Sequence, residues 1–508
     1  MADLQITVSR GGSVEIPLIS GVDAFGVDWG LDNRKADHAT VAENDQRDIV
    51  VAFHSSRNEY TPDLKQVEIA YFKYNAGTDN WTLFDQRLVG SVGHAPLSPP
   101  FLQTEVQCER PDVIVVGNRF FVGWMRRYDR DVGPTNPNDP TFQGYEPSVL
   151  ECAWIERVGS SLQIHTNSYP NGQGFDLDFH KNPNTSNSPL TIRECAGVPD
   201  AVLLDLGDPN AVPPRLPTVG VVYPHQSDFG DYPVGSGDDT RRFDLRLVTC
   251  SIDANNVLSK TNPITLHTNT RFDGSSAPLG QESAGLVLPD LAPGVEPYSF
   301  WLTYEQQNGL SAGVPLGRIQ LEFWKGTSAT NWPSDPEAMV AFGSLTSPAA
   351  RRRSHVASFP AGGSEVVSFA FSRSVAAGNG DVVYEEWVFS PAGPTLAKVA
   401  WPQGAGFPND DPSVVDDIRP VPLHGRTGIR QVLVDRNGAP CLIVMYTPIN
   451  NPGNALVQKA SSVDGLGRPA VAYRFHSASG TDNFALTWEQ INPNPPVNGK
   501  ERIWLRVD

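Results

Sequence analysis

His54, Arg126, Arg127, His225, Glu305, Arg373 and Glu489 each follow, by one to three positions, a short apolar segment that ends in an aromatic residue. Carboxylates, imidazoles and guanidinium groups held together can move protons and bind an acidic sugar. Glu305, Glu489, His225, Arg126 and Arg127 form the candidate catalytic set, with His54 and Arg373 as binding residues. The same groups also suit salt bridges between loops. A second set stands earlier in the repeating pattern: His38, Asp112, Asp200 and His355, with Ser283, Gln431 and Arg468 at similar places. Two imidazoles and two carboxylates around a channel could bind a ligand, hold a metal or do acid–base work. A water-filled polar channel is the structural alternative.

Two acidic stretches suggest a hard cation. Asp129, Asp131, Asn136, Asn138 and Asp139 form one; Asp228, Asp231, Asp238 and Asp239 form the other. Oxygen ligands of this kind suit structural calcium, with Asp129, Asp131, Asp238 and Asp239 as its candidates. Neither stretch matches the spacing of a helix–loop–helix calcium loop. No other cofactor is implied: the sequence has no nucleophile elbow, zinc-protease motif, phosphate-binding loop or dinucleotide fingerprint.

The elements that position these residues come from an internal repeat. Val50 to Phe53, Phe121 to Trp124, Gly220 to Tyr223, Trp301 to Tyr304, Ser368 to Phe371, Ile443 to Tyr446 and Ala485 to Trp488 are apolar segments closed by an aromatic residue. Another short apolar strand and a tight turn precede most of them; a polar loop and an alternating strand such as Val67 to Phe72 follow. A unit of about four strands repeated some seven times predicts an all-β chain, one β-propeller over residues 1–508. Six or eight blades stay open, because the last two aromatic segments are closely spaced and the sixth unit lacks a clear outer strand. Leu4 to Ser9 is expected to complete the last blade and close the ring. The repeated aromatics are expected to pack between neighbouring blades.

In such a ring the connections alternate between the two faces. Those between second and third strands, and between one unit and the next, share a face, and here they are the long ones. They include residues 128–147, 168–199, 225–242 and 402–430, and Gln306 to Gly317 is read as a further polar loop. Binding residues are expected on that face. The turns Asp435 to Pro440 and Asp464 to Pro469 loosely resemble the D-x-x-G-x-P turns of sialidase-like and other carbohydrate-active propellers. The resemblance implies an architecture and no activity, since the Asp-box of sialidases is absent.

The chain has 57 acidic and 39 basic residues, a formal charge of −18, which argues against nucleic acid as a partner. No run is apolar enough for membrane insertion, and five widely spaced cysteines point to reduced, buried thiols. The N-terminus shows no signal peptide, so cytoplasmic synthesis is expected, compatible with leaderless export or a place in a particle. The expected function is recognition or assembly: the long-loop face binds a glycan or protein partner, for instance within a phage or secretion apparatus. The alternative is a glycan-active enzyme, a glycoside hydrolase or polysaccharide lyase, with its site at the channel mouth on that face.

Overall fold

The computed structural model describes residues 6–19, 35–56, 65–90, 94–95, 104–129, 148–166, 174–178, 195–226, 244–267, 285–311, 314–342, 351–361, 364–374, 380–390, 395–398, 415–422, 428–435, 441–448, 456–461, 467–476, 481–492 and 500–507. All secondary structure among them is β-strand, paired almost entirely antiparallel, and none is a helix long enough to cross a membrane.

The described strands form one five-stranded sheet, one twelve-stranded sheet and four four-stranded sheets; the twelve-stranded sheet comprises a second and a third unit of the ring joined by one parallel bridge. The first unit runs outward through Ala36–Glu43, Ile49–Ser56, Lys65–Asn75 and Asn80–Gly90. The inner strands of the next six are Thr104–Val116, Asp200–Asp205, Gly285–Pro293, Arg351–Ala361, Val415–Pro422 and Gly467–His476. Each inner strand lies against that of the following unit, and Gly467–His476 lies against Ala36–Glu43. The result is a closed ring of radial sheets, the β-propeller architecture that the repeat implied. The parallel bridge Ser148 to Cys195 joins the second and third units, and the segment 168–199 also adds Phe175–Asp178 to the outer edge of the second.

The core lies between sheets, because alternate residues of a strand face opposite neighbours. Val51 and Phe53 pack on Ala485, Ile503 and Leu505 of the last unit, whereas Val50 and Ala52 pack on Phe120 and Trp124 of the second. Phe121 and Trp154 meet Tyr223 and Val248, and Leu247 meets Phe300 and Tyr304. The repeated aromatics Phe53, Trp124, Tyr223 and Tyr304 therefore fill inter-sheet layers, as their spacing suggested.

Three expectations change. The ring-closing strand is Ser13–Glu15, which pairs with Lys500–Val507; Thr7–Ser9 instead pairs with the outer strand of the first unit. A β-strand of three residues carries too little pattern to separate these partners by sequence. In the sixth unit Val415–Pro422 is the inner strand, so Gln431 lies in the second strand and Tyr446 in the third. Pro420 and Pro422 had disguised that strand as part of a loop at 402–430. Finally, Ser299–Ser311 and Val314–Lys325 form a long hairpin, so most of the segment read as a loop from Gln306 to Gly317 is strand.

Candidate functional site

Six inner strands carry a bulge near the face of the unit-to-unit connections. The register shifts between Asp37 and Thr40, Glu109 and Asp112, Val287 and Asp290, Arg352 and Ser354, Val415 and Ile418, and Gly467 and Ala470. A bulge turns a side chain out of the alternating pattern and aims it at the ring's mouth. The bulge residues His38, Arg110 and Leu288 have φ of 51°, 54° and 52°, a left-handed conformation that costs a non-glycine residue about 1–2 kcal/mol.

What holds these bulges is a side chain from the preceding unit. Glu489 Oε1, on the last unit, accepts the His38 N–H at 2.8 Å. His54 Nδ1, on the first unit, accepts the Arg110 N–H at 3.1 Å. One step deeper, aspartates repeat the device. Asp112 accepts from Ala201 N–H at 2.9 Å, Asp200 from Leu291 N–H at 2.5 Å and Asp290 from Val356 N–H at 2.8 Å. Asp290 also meets His355 Nδ1 at 2.8 Å. The predicted channel residues Asp112, Asp200 and His355 thus clasp neighbouring sheets.

Thr40 occupies the place of Asp112 and Asp290 in the first unit, and there the pattern changes. Its hydroxyl donates to the Pro111 carbonyl at 3.4 Å, while a carboxylate appears three residues earlier, at Asp37. Asp37 Oδ1 contacts His54 Nε2 and lies 3.0 Å from His38 Nδ1; the two rings have centroids 4.6 Å apart. Lys65 is close enough to act on both Asp37 and His54, and its Nζ reaches Glu109 at 3.2 Å. Burial raises the Asp37 carboxyl, but His54, His38 and Lys65 outweigh that and hold it below the usual carboxylate range. Burial depresses the His54 imidazole well below its ordinary value, against the pull of Asp37. The stable pair is an ionised Asp37 and a neutral His54.

The backbone decides which nitrogen carries the proton. His54 Nδ1 is an acceptor, so its proton belongs on Nε2 and points at Asp37. Asp37, His38 and His54 offer three donor atoms within 4.8 Å, a spacing that suits a metal ion. A metal-bound imidazole normally donates its second nitrogen, whereas His54 would have to bind through Nε2 while Nδ1 accepts. The cluster therefore fits an acid–base pair better than a metal centre. With its own Nδ1–H on Asp37, a neutral His38 carries its basic lone pair on Nε2.

The other expected site residues are dispersed. Arg126 is buried and paired with Glu151 at 2.9 Å; burial pushes Glu151 up to about 7 against the pull of Arg126. His225 lies in the third unit, with Tyr223 bonded to Asp178, Asp178 3.8 Å from His225, and Arg246 3.2 Å from His225. Glu305 is buried at the mouth side of the fourth unit. The side chains of Arg127, Arg373 and Asp129, and all of Asp131, Asp238 and Asp239, lie outside the described residues, as do most of 128–147 and 225–242. Asp37, Lys65 and Glu109 were not anticipated. A missed signal was available: Pro111-Asp112, Pro199-Asp200 and Pro289-Asp290 mark the inner strands of the second, third and fourth units.

No known protein family matches the chain, and no curated protein does. Among solved structures it is similar to a protein of unknown function from Dyadobacter fermentans, at 10% identity and a TM-score of 0.41, over 97% of this chain and 98% of that one. It is also similar to the Trypanosoma rangeli sialidase in complex with sialic acid, at 12% identity and a TM-score of 0.39. That match spans 98% of this chain and 58% of the sialidase. A Hadza microbial sialidase matches at 10% identity and a TM-score of 0.40, over 78% of this chain and 63% of that one. The functional reading rests on the residues of the site.

Proposed function

We propose that the mouth of the ring is an acid–base active site acting on a glycan, with His38 as the proton-transfer group and Asp37 as its partner. The observation that carries this is the His38 Nδ1 to Asp37 Oδ1 contact of 3.0 Å in a backbone held left-handed by Glu489. An imidazole fixed by a carboxylate is suited to take and return a proton near neutral pH. The side chains around it, Lys65, Glu109 and Asp37, are groups that hydrogen-bond sugar hydroxyls. Glu489 and His54 act as positioning residues.

The test is a degradation screen of the full-length protein against a polysaccharide panel, reading new reducing ends and unsaturated products. Cleavage that is lost in Asp37→Asn and in His38→Gln supports the assignment. Cleavage that persists in both removes it. Glycan binding with no cleavage would make the face a recognition surface.

A further inference from the structure

Several arginines among the described residues are matched by a carboxylate. Arg10, Arg119, Arg126, Arg157 and Arg502 each lie against a carboxylate. Arg246 and Arg318 have no carboxylate partner among the described residues. Arg246 Nη1 faces His225 Nε2 at 3.2 Å, and its Nε is buried with no hydrogen-bond partner among the described residues. Arg318 Nε donates to the neutral amide of Gln306 at 2.7 Å. Both guanidinium groups are half-buried.

Their places in the fold coincide. Each stands near the start of a third strand, Asp244–Ile252 in the third unit and Val314–Lys325 in the fourth. These are adjacent units, and third strands begin on the same face as the His38 site. Across the strand pair Arg246 is opposite Tyr223 and Arg318 opposite Gln306, both near the mouth end of the second strand. Arg246 thus meets an imidazole nitrogen rather than a carboxylate, and Asp178 lies beyond it, 3.8 Å from His225 Nε2. Half-burying a guanidinium without a counter-ion is unfavourable, and in a chain of charge −18 carboxylates are abundant. Two such groups on one rim point to an anion supplied from outside.

We propose that Arg246 and Arg318 bind the anionic group, a carboxylate or a sulfate ester, of an acidic glycan. The planar guanidinium fork matches both groups through paired hydrogen bonds. This names the substrate class of the mouth and so rests on its reading as a glycan site. His38 then faces the mouth from the first unit while the two arginines hold charge from the third and fourth.

Calorimetric titration of the full-length protein with a uronic-acid polymer, a sulfated glycan and a neutral glycan tests it. The acidic ligand should bind more tightly than the neutral one, and added salt should weaken it. Whether the uronate or the sulfated arm binds identifies the anion. Arg246→Gln and Arg318→Gln should each weaken acidic binding about tenfold or more, with Arg246→Lys and Arg318→Lys keeping part of it. Thermal melting checks that the variants fold. Neutral glycan bound as tightly as acidic, or acidic binding unchanged in both Gln variants, overturns the proposal while leaving the acid–base site intact. Acidic binding that needs the arginines, with no cleavage of any glycan, upholds it and removes the enzymatic reading. No binding by any glycan removes both.

Discussion

At the first unit the mouth is crowded with matched groups. Asp37 is shared by two imidazoles, Lys65 reaches Glu109, and the backbone N–H groups of His38 and Arg110 are each taken by a side chain of the unit before. At the third and fourth units the same face presents Arg246 and Arg318 against an imidazole and an amide, with no carboxylate in direct contact among the described residues. A matched cluster fixes a tautomer and a direction, which proton transfer needs. An unmatched cation keeps its charge for a ligand. The ring repeats one strand plan, so the contrast comes from a few side chains at equivalent positions.

The contrast can be broken most sharply at the first unit. Asp37→Asn or His38→Gln should lower turnover by about a hundred- to ten-thousand-fold, read as initial rate on the best polysaccharide. Substitutions at matched and unmatched groups should differ in their effect on stability. Asp290→Ala strands the Val356 N–H and His355, and should cost about 1–3 kcal/mol in chemical denaturation. Arg246→Gln removes no ion pair and should change stability by less than about 0.5 kcal/mol. Equal losses would mean that Arg246 is structural.

A smaller effect concerns pH. His54 is buried with a depressed pKa, so below about 6.5 the unfolded chain binds a proton that the folded chain does not. Its contribution is full above that value and is lost progressively as the pH falls from there toward the depressed folded value. Asp37, also depressed, loses its contribution at still lower pH, in the same direction. Melting temperature should therefore fall on acidification from about pH 7.5 to 5.5, less steeply in a His54→Gln variant. An unchanged slope would show that His54 does not titrate between the two states.

Much of the ring was legible because its core is built from a pattern visible in one dimension. Phe53, Trp124, Tyr223 and Tyr304 mark second strands since each must fill a layer between sheets. The sixth unit was misplaced by one strand because its inner strand carries prolines and its third strand, ending near Tyr446, imitates a second. The site was legible in part. His38, His54 and Glu489 were anticipated as separate members of two sets, and bulges bring them together. A bulge adds one residue and reverses which face a side chain takes, so strict alternation cannot place Asp37. Arg246 was invisible for another reason: what distinguishes it is the lack of a partner, which only three dimensions reveal.

The N-terminal segment binds the first unit through Thr7–Ser9 and the last through Ser13–Glu15, with Gly11 N–H donating to the Val507 carbonyl at 2.7 Å. Ser13–Glu15 must therefore wait for Lys500–Val507, which is synthesised long after it. Joining such distant segments carries a closure entropy of about 5 kcal/mol if nothing between them has folded. Prior folding of the intervening units shortens that search, which makes the seam the last junction to close. Because the Glu489 to His38 bond spans this junction, a nascent or nicked ring would hold every residue of the proton-transfer pair and still lack its geometry. Activity would thus report on completion of the ring, even when most sheets are already formed.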